Sequence, residues 1–244
     1  MEMKEATELG QRVSELVGAG RMRQACALLE PVLAAPTRFP ILGRIGAVLG
    51  REAVERLNPF LDRIALAKTE GGWVVIGAAL GAQLDGDLDG ALSRCRSFII
   101  DADVWYATDI LGERVPGPAL LLDLSATLAA LAPWREDPNR WLRRTVGVAV
   151  HFWAKRSRGD ATRQSDAAAL LAFLEPLFSE WDLDAVKGVG WGLKTLGRCY
   201  PHLVAGWLAE QVVVQQRPHR ALLVRKALTY LPHKLHIPTL GGEA

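Results

Sequence analysis

The chain has 244 residues, half of them apolar and 23% charged, so it folds as one large domain or two small ones and not as a disordered tail. Its longest uncharged, mostly apolar run, Gly71 to Leu84, is too short to span a bilayer core of roughly 30 Å, and MEMKEATELG at the N-terminus has no basic-then-apolar signal pattern. Cys26, Cys95 and Cys199 lie too far apart for a disulfide framework or a zinc knuckle.

The formal net charge of +2 hides an asymmetry: residues 1–133 carry 13 Lys and Arg against 17 Asp and Glu, and residues 134–234 carry 16 against 9. A basic second half on a nearly neutral chain points to one surface that meets an anion, nucleic acid among the candidates.

Apolar residues recur at helical spacing along the chain. Val13, Leu16 and Val17, then Ala25, Leu28, Leu29 and Leu33, mark two short amphipathic helices separated by Gly18-Ala19-Gly20. Trp73-Val-Val-Ile has the look of a strand but continues as Gly77-Ala-Ala-Leu-Gly-Ala, which fits a buried helix better. Leu120, Leu121, Leu124, Leu128 and Leu131 predict one helix, with Pro116 and Pro118 at its start and Pro133 past its end. Asp137-Pro138 opens the next, whose apolar face is Leu142, Val146, Ala149, Val150 and Trp153. Helices are then predicted over Asp166 to Glu175, Asp184 to Cys199, Pro201 to Val214 and His219 to Leu231. The predicted fold is all-α, and Trp134, Trp153, Trp181 and Trp207 are expected in its core.

Small, aromatic and basic clusters return near Trp73, Asp109, Arg144, Lys187 and Lys226, at intervals of 36, 35, 43 and 39 residues. Intervals near 40 fit the helix pairs of a HEAT or armadillo solenoid, in which each pair buries a face against its neighbours and the second helices line a concave surface. Trp141-Leu-Arg-Arg-Thr-Val-Gly147, Asp184-Ala-Val-Lys-Gly-Val-Gly190 and Leu222-Leu-Val-Arg-Lys-Ala-Leu228 each place cations on the first turns of a helix. Cations there oppose the helix dipole, so the register of Arg144, Lys187 and Arg225 or Lys226 implies a purpose beyond local helix stability.

Trp105 and Asp109, four apart in Asp103-Val-Trp-Tyr-Ala-Thr-Asp109, share a helix face. With Arg144 and Trp191 they can meet in one cleft, and here the sequence resembles the DNA alkylation repair enzymes of the AlkD type, the HEAT-like-repeat DNA glycosylases. An aromatic-bearing helix leading to a carboxylate is similar to Val104-Trp-Tyr-Ala-Thr-Asp109. A helix start with paired basic residues is similar to Asn139-Arg-Trp-Leu-Arg-Arg144, and a Lys-rich helix with a cleft Trp is similar to Lys187-Gly-Val-Gly-Trp-Gly-Leu-Lys194. The basic helix Leu223-Val-Arg-Lys-Ala-Leu228 follows. The resemblance runs from about residue 100 to 231.

What the resemblance implies is a single domain over 1–244: divergent N-terminal helices over 1–70, repeats lining the cleft over 71–231 and a tail over 232–244. It implies a C-shaped HEAT-like solenoid with a basic concave face that holds duplex DNA and removes cationic N3- or N7-alkylated purines. Asp109 would be the catalytic carboxylate, Trp105 and Trp191 the aromatics on the sugar, and Arg144 the clamp on the backbone. Arg143, Lys187, Lys194, Arg225, Lys226, Lys155 and Arg156 are the expected DNA contacts. The protein is expected to act as a cytoplasmic, nucleoid-associated monomer without metal or other cofactor. Two features depart from the family pattern of Asn-Trp-Asp before the catalytic Asp: Val104 stands for the Asn and Tyr106 for the acidic residue after the Trp. A non-catalytic relative that binds unusual DNA shapes and a HEAT-type protein scaffold are the alternatives.

Other motifs carry less. Gly188-Val-Gly-Trp-Gly192 lacks a preceding strand and the spacing of a phosphate loop, and its glycines read as permitting close backbone approach. His233 and His236 have no third metal ligand. His151, seven residues after Arg144, is expected to be a hydrogen-bonded groove histidine. Lys155-Arg156-Ser-Arg158 is either a phosphate contact or a solvated helix end.

Overall fold

The computed structural model describes residues 1–235. Every regular element among them is helical, as the 3.6-residue periodicity predicts. The chain divides into two compact units, Met1–Val115 and a second that begins at Pro116.

The first unit contains α1 (Met3–Gly18), α2 (Met22–Ala34), α3 (Phe39–Leu49), α4 (Val54–Leu66), α5 (Glu70–Gly81), α6 (Leu88–Ala102) and α7 (Trp105–Arg114). Helices α1, α3, α5 and α7 pack successively side by side, and α2, α4 and α6 connect them as a second layer. Gly20, at φ +73°, makes the left-handed step between α1 and α2. The segment Trp73 to Ile76 is buried inside α5, where Thr69 caps the helix by accepting from the Gly72 amide at 3.1 Å. An apolar sequence with no polar side is what a helix packed on several sides requires.

The second unit contains α8 (Pro116–Leu122), α9 (Leu124–Leu131), α10 (Arg140–Ser157), α11 (Gln164–Leu174), α12 (Leu183–Cys199), α13 (Pro201–Ala209) and α14 (Ala221–Leu228). Helices α8, α10, α12 and α14 form the successive row in this unit. The stripe from Leu120 to Leu131 is two helices and not the one predicted. Asp123 adopts an extended conformation, and its carboxylate accepts from the Ala126 amide at 2.9 Å, so a new helix starts where the leucine spacing alone reads straight through. Pro201 to Val214 likewise changes character, from α13 into a π-helical turn over Glu210–Val214.

Trp134 and Trp153 are buried as expected, and Trp207 is half-buried with its ring 5.5 Å from Phe178, edge-on. Trp181 corrects the expectation of a core residue, being 60% exposed. It belongs to the connection before α12, so no helix turns its side chain inward.

Candidate functional site

In the first unit, the turn between α6 and α7 sets the geometry. Asp103, at φ +47°, ends α6 in the left-handed region, and Val104 returns to extended backbone, which makes Trp105 the first residue of α7. The Tyr106 hydroxyl donates to the Lys68 carbonyl at 3.4 Å, and Lys68 Nζ donates to the Asp101 carbonyl at 2.9 Å, tying this turn to the end of α4. Trp105 is thereby held 56% exposed, with Tyr106 edge-on to it at 5.9 Å. Asp109 follows one turn later, half-buried on the same side of α7. Val104 supplies no side-chain cap to α7; the departure from Asn removes an acceptor at that position.

In the second unit, Arg144, Lys187 and Arg225 are each the fifth residue of their helices, α10, α12 and α14. Glycines set how closely these helices stack. A Cβ on Gly188 would lie 2.5 Å from the Arg144 carbonyl oxygen and 2.6 Å from Arg144 Cγ; one on Gly192 would lie 2.7 Å from the Gly147 carbonyl oxygen. A Cβ on Gly190 would lie 2.6 Å from Lys226 Cδ. The motif Gly188-Val-Gly-Trp-Gly192 is therefore the floor on which the stems of Arg144 and Lys226 lie.

Arg144 is 7% exposed, and its Nη1 donates to the Asp184 carbonyl at 3.0 Å, which orients the guanidinium at the start of α12. The Asp184 carboxylate lies 3.6 Å from Lys187 Nζ and 3.8 Å from Arg140 Nε. Lys226 is held below its usual pKa, first by burial and then by Lys194, Arg144, Lys187 and Arg225, all of them cations. The structure thus brings together Arg144, Lys187, Lys194, Arg225 and Lys226.

Arg143, the neighbour of Arg144, is held by the chain itself. Its Nε donates to Glu180 at 2.5 Å and its Nη1 to the carbonyls of Asp137 and Pro138 at 2.6 and 3.1 Å. The other Glu180 oxygen accepts the amides of Trp181 and Asp182 at 2.9 and 2.8 Å. Arg143 is therefore a strut for the connection that displays Trp181.

Below this cluster α10 and α12 enclose a cavity of about 610 Å³, lined by His151, Lys155 and Arg158 from α10 and its end, and by Trp191, Lys194, Thr195 and Arg198 from α12, with Tyr230 after α14. Trp191 is half-buried and stacks on His151 at 3.9 Å and 24°. The Thr195 hydroxyl lies within hydrogen-bond distance of the Trp191 carbonyl, at 3.1 Å, and of His151 Nδ1, at 2.7 Å. His151 is buried and hydrogen-bonded, as read from its spacing. Arg156 points elsewhere, 5.3 Å from the Phe152 ring. Sequence reading passed over Arg198 and Tyr230 and left Arg158 open. The signal was present: Lys187, Trp191, Lys194 and Arg198 recur at intervals of 4, 3 and 4, one polar stripe along α12.

Among the described residues no group of three His, Cys, Asp or Glu residues could hold a metal ion, and no helix is long and apolar enough to cross a membrane. His236 lies outside the described residues.

No curated protein matches the sequence. A family model described as DNA alkylation repair enzyme matches residues 66–231. That span runs from the end of α4 past α14 and includes Trp105, Asp109, the glycine floor and the whole cation cluster. Over more than half of its length, and with this helical architecture, the chain belongs to the family of DNA alkylation repair enzymes.

Proposed function

We propose that the protein is a monofunctional DNA glycosylase that releases cationic N3- or N7-alkylated purines from duplex DNA. The observation that carries the DNA-binding part is the cluster around Lys226: five cations from α10, α12 and α14, with the Asp184 carboxylate beside Lys187, concentrate an excess of positive charge that favours an anion. A phosphodiester supplies that anion, and phosphate contacts position a duplex without reading its sequence.

A purine alkylated at N3 or N7 carries a positive charge and leaves the sugar as a neutral base, so no general acid is required. The remaining demand is to stabilise an oxocarbenium-like sugar and to position a water, as in glycoside hydrolysis. In this reading Asp109 meets both demands through a fixed negative charge. The exposed face of Trp105 contributes ~0.5–2 kcal/mol against a developing sugar cation, by analogy with cation–π pairs. Trp191, backed by His151, serves as the second aromatic. Arg144, with its guanidinium oriented by Asp184, fixes the phosphate next to the lesion. Lys187, Lys194, Arg225, Lys226 and Lys155 hold the flanking backbone, with Arg156 as an outer contact. The protein acts as a monomer and needs no cofactor for this chemistry.

The test is base release from methylated duplex DNA by wild type and Asp109→Asn. The expected result is release of 3-methyladenine or 7-methylguanine by wild type, a fall of at least about 10²-fold in the variant, and unchanged DNA affinity. Full excision by Asp109→Asn would refute the carboxylate's role. The absence of Asn at Val104 and of an acid at Tyr106 favours one second reading, a non-catalytic DNA-binding relative. Salt-sensitive DNA binding with no release of either base by wild type would favour it.

A further inference from the structure

The cavity between α10 and α12 adjoins the Arg144 cluster, with which it shares Lys194, and extends away from it toward the ends of both helices. Lys155 lies eleven residues after Arg144 on α10, and Arg198 eleven after Lys187 on α12, about 16 Å along each helix. Four cations line it, Lys155, Arg158, Lys194 and Arg198, and no carboxylate does among the described residues. Its volume of about 610 Å³ falls within the range of roughly 300–1,000 Å³ typical of small-molecule pockets and far exceeds the needs of one phosphate. Two aromatic residues share the lining: Trp191, and Tyr230, which is 48% exposed with Lys194 Nζ 4.7 Å from its ring centre.

The shape limits the ligand. The ridge of a double helix is convex and touches only the rim of a recess whose floor is made by buried residues such as His151 and Thr195. A single nucleotide unit is narrow enough to enter. Cations for phosphate combined with aromatic surface for a base or sugar are the recurring features of single-strand recognition. We infer that this cavity binds one unpaired nucleotide, a nucleoside phosphate, with its phosphate on Lys155, Arg158, Lys194 and Arg198 and its base or sugar against Trp191 and Tyr230. The nucleotide is either extrahelical within a DNA strand or a free mononucleotide. The inference goes beyond the excision reading and does not depend on Asp109.

The test uses the full chain and the double variant Arg158→Asn/Arg198→Gln. Arg158 has φ +53°, which Asn tolerates, and both arginines are exposed, so the melting temperature should not change. Fluorescence anisotropy compares a fully paired duplex with one carrying a single unpaired thymidine, and calorimetry titrates dTMP. Wild type should bind the bulged duplex about tenfold more tightly than the paired one, equivalent to 1.4 kcal/mol, and the variant should lose that preference. If the preference is absent but dTMP binds wild type and not the variant, the ligand is the free nucleotide. The inference is overturned if wild type shows neither effect, or if the variant keeps whichever effect wild type shows. Excision of alkylated bases, measured in the same samples, stands or falls separately.

Discussion

Gly188→Ala should destabilise the second unit although alanine is the better helix former. The added Cβ would lie 2.5 Å from the Arg144 carbonyl oxygen and 2.6 Å from Arg144 Cγ, against 3.4 Å for ordinary contact. Relief demands that α10 and α12 separate by roughly 0.9 Å, because a backbone carbonyl inside a helix cannot swing aside alone. Overpacking of this kind costs about 1–3 kcal/mol, and the gain in helix propensity of ~1 kcal/mol offsets part of it. The net expectation is a loss of up to about 2 kcal/mol. Gly206→Ala is the matched control: Gly206 lies within α13 and a Cβ there meets nothing within 4 Å, so propensity acts alone and stability rises by up to ~1 kcal/mol. Urea unfolding of the two variants measures both signs. Gly188→Ala also displaces the Arg144 stem, so DNA affinity should fall in that variant and stay constant in Gly206→Ala. A Gly188→Ala protein as stable as Gly206→Ala would refute the close approach of α10 and α12.

The depressed pKa of Lys226 has a signed consequence. The folded protein releases this proton at lower pH than the unfolded chain, whose value is the ordinary 10.5, so the unfolded state binds more protons between the two and stability rises with pH there. The penalty is fully present below the folded pKa and vanishes above the unfolded one. The difference in unfolding free energy between wild type and Lys226→Gln, measured from pH 7 upward, should therefore favour the variant at neutral pH and shrink toward alkaline pH. The same variant should reduce the slope of log affinity against log salt for duplex DNA by about 1. Arg143→Ala and Glu180→Ala each break a largely buried pair, and their combination should cost less than the sum by about 1–2 kcal/mol in a double-mutant cycle read by urea unfolding. Trp105→Ala, at an exposed site, should leave stability within about 0.5 kcal/mol while slowing single-turnover excision by roughly 3- to 30-fold; an unchanged rate would remove Trp105 from the sugar site.

The sequence by itself determined the helical class and the register of the cations. Helix periodicity, proline and glycine positions and intervals near 40 residues are local features, and they placed Arg144, Lys187 and Arg225 on equivalent turns before any packing was known. They also located Trp105 one turn before Asp109. Local rules failed where a competing local signal was overlooked, as at Asp123, whose cap outweighs an unbroken leucine stripe, and where burial was assigned from residue type, as at Trp181. Tertiary structure alone decided how the arginines are used. Arg143 and Arg144 are adjacent and chemically identical, yet a turn of about 100° between neighbours on a helix sends one to Glu180 as a strut and lays the other across Gly188 among four cations. The cavity is also a tertiary fact: its cations come from separate stretches of chain, Lys155 and Arg158 at the end of α10 and Lys194 and Arg198 on α12, and the glycine-mediated contact of those helices gathers them around one space. Charge is written residue by residue, whereas its concentration depends on which backbones can approach, and that distance is set by packing.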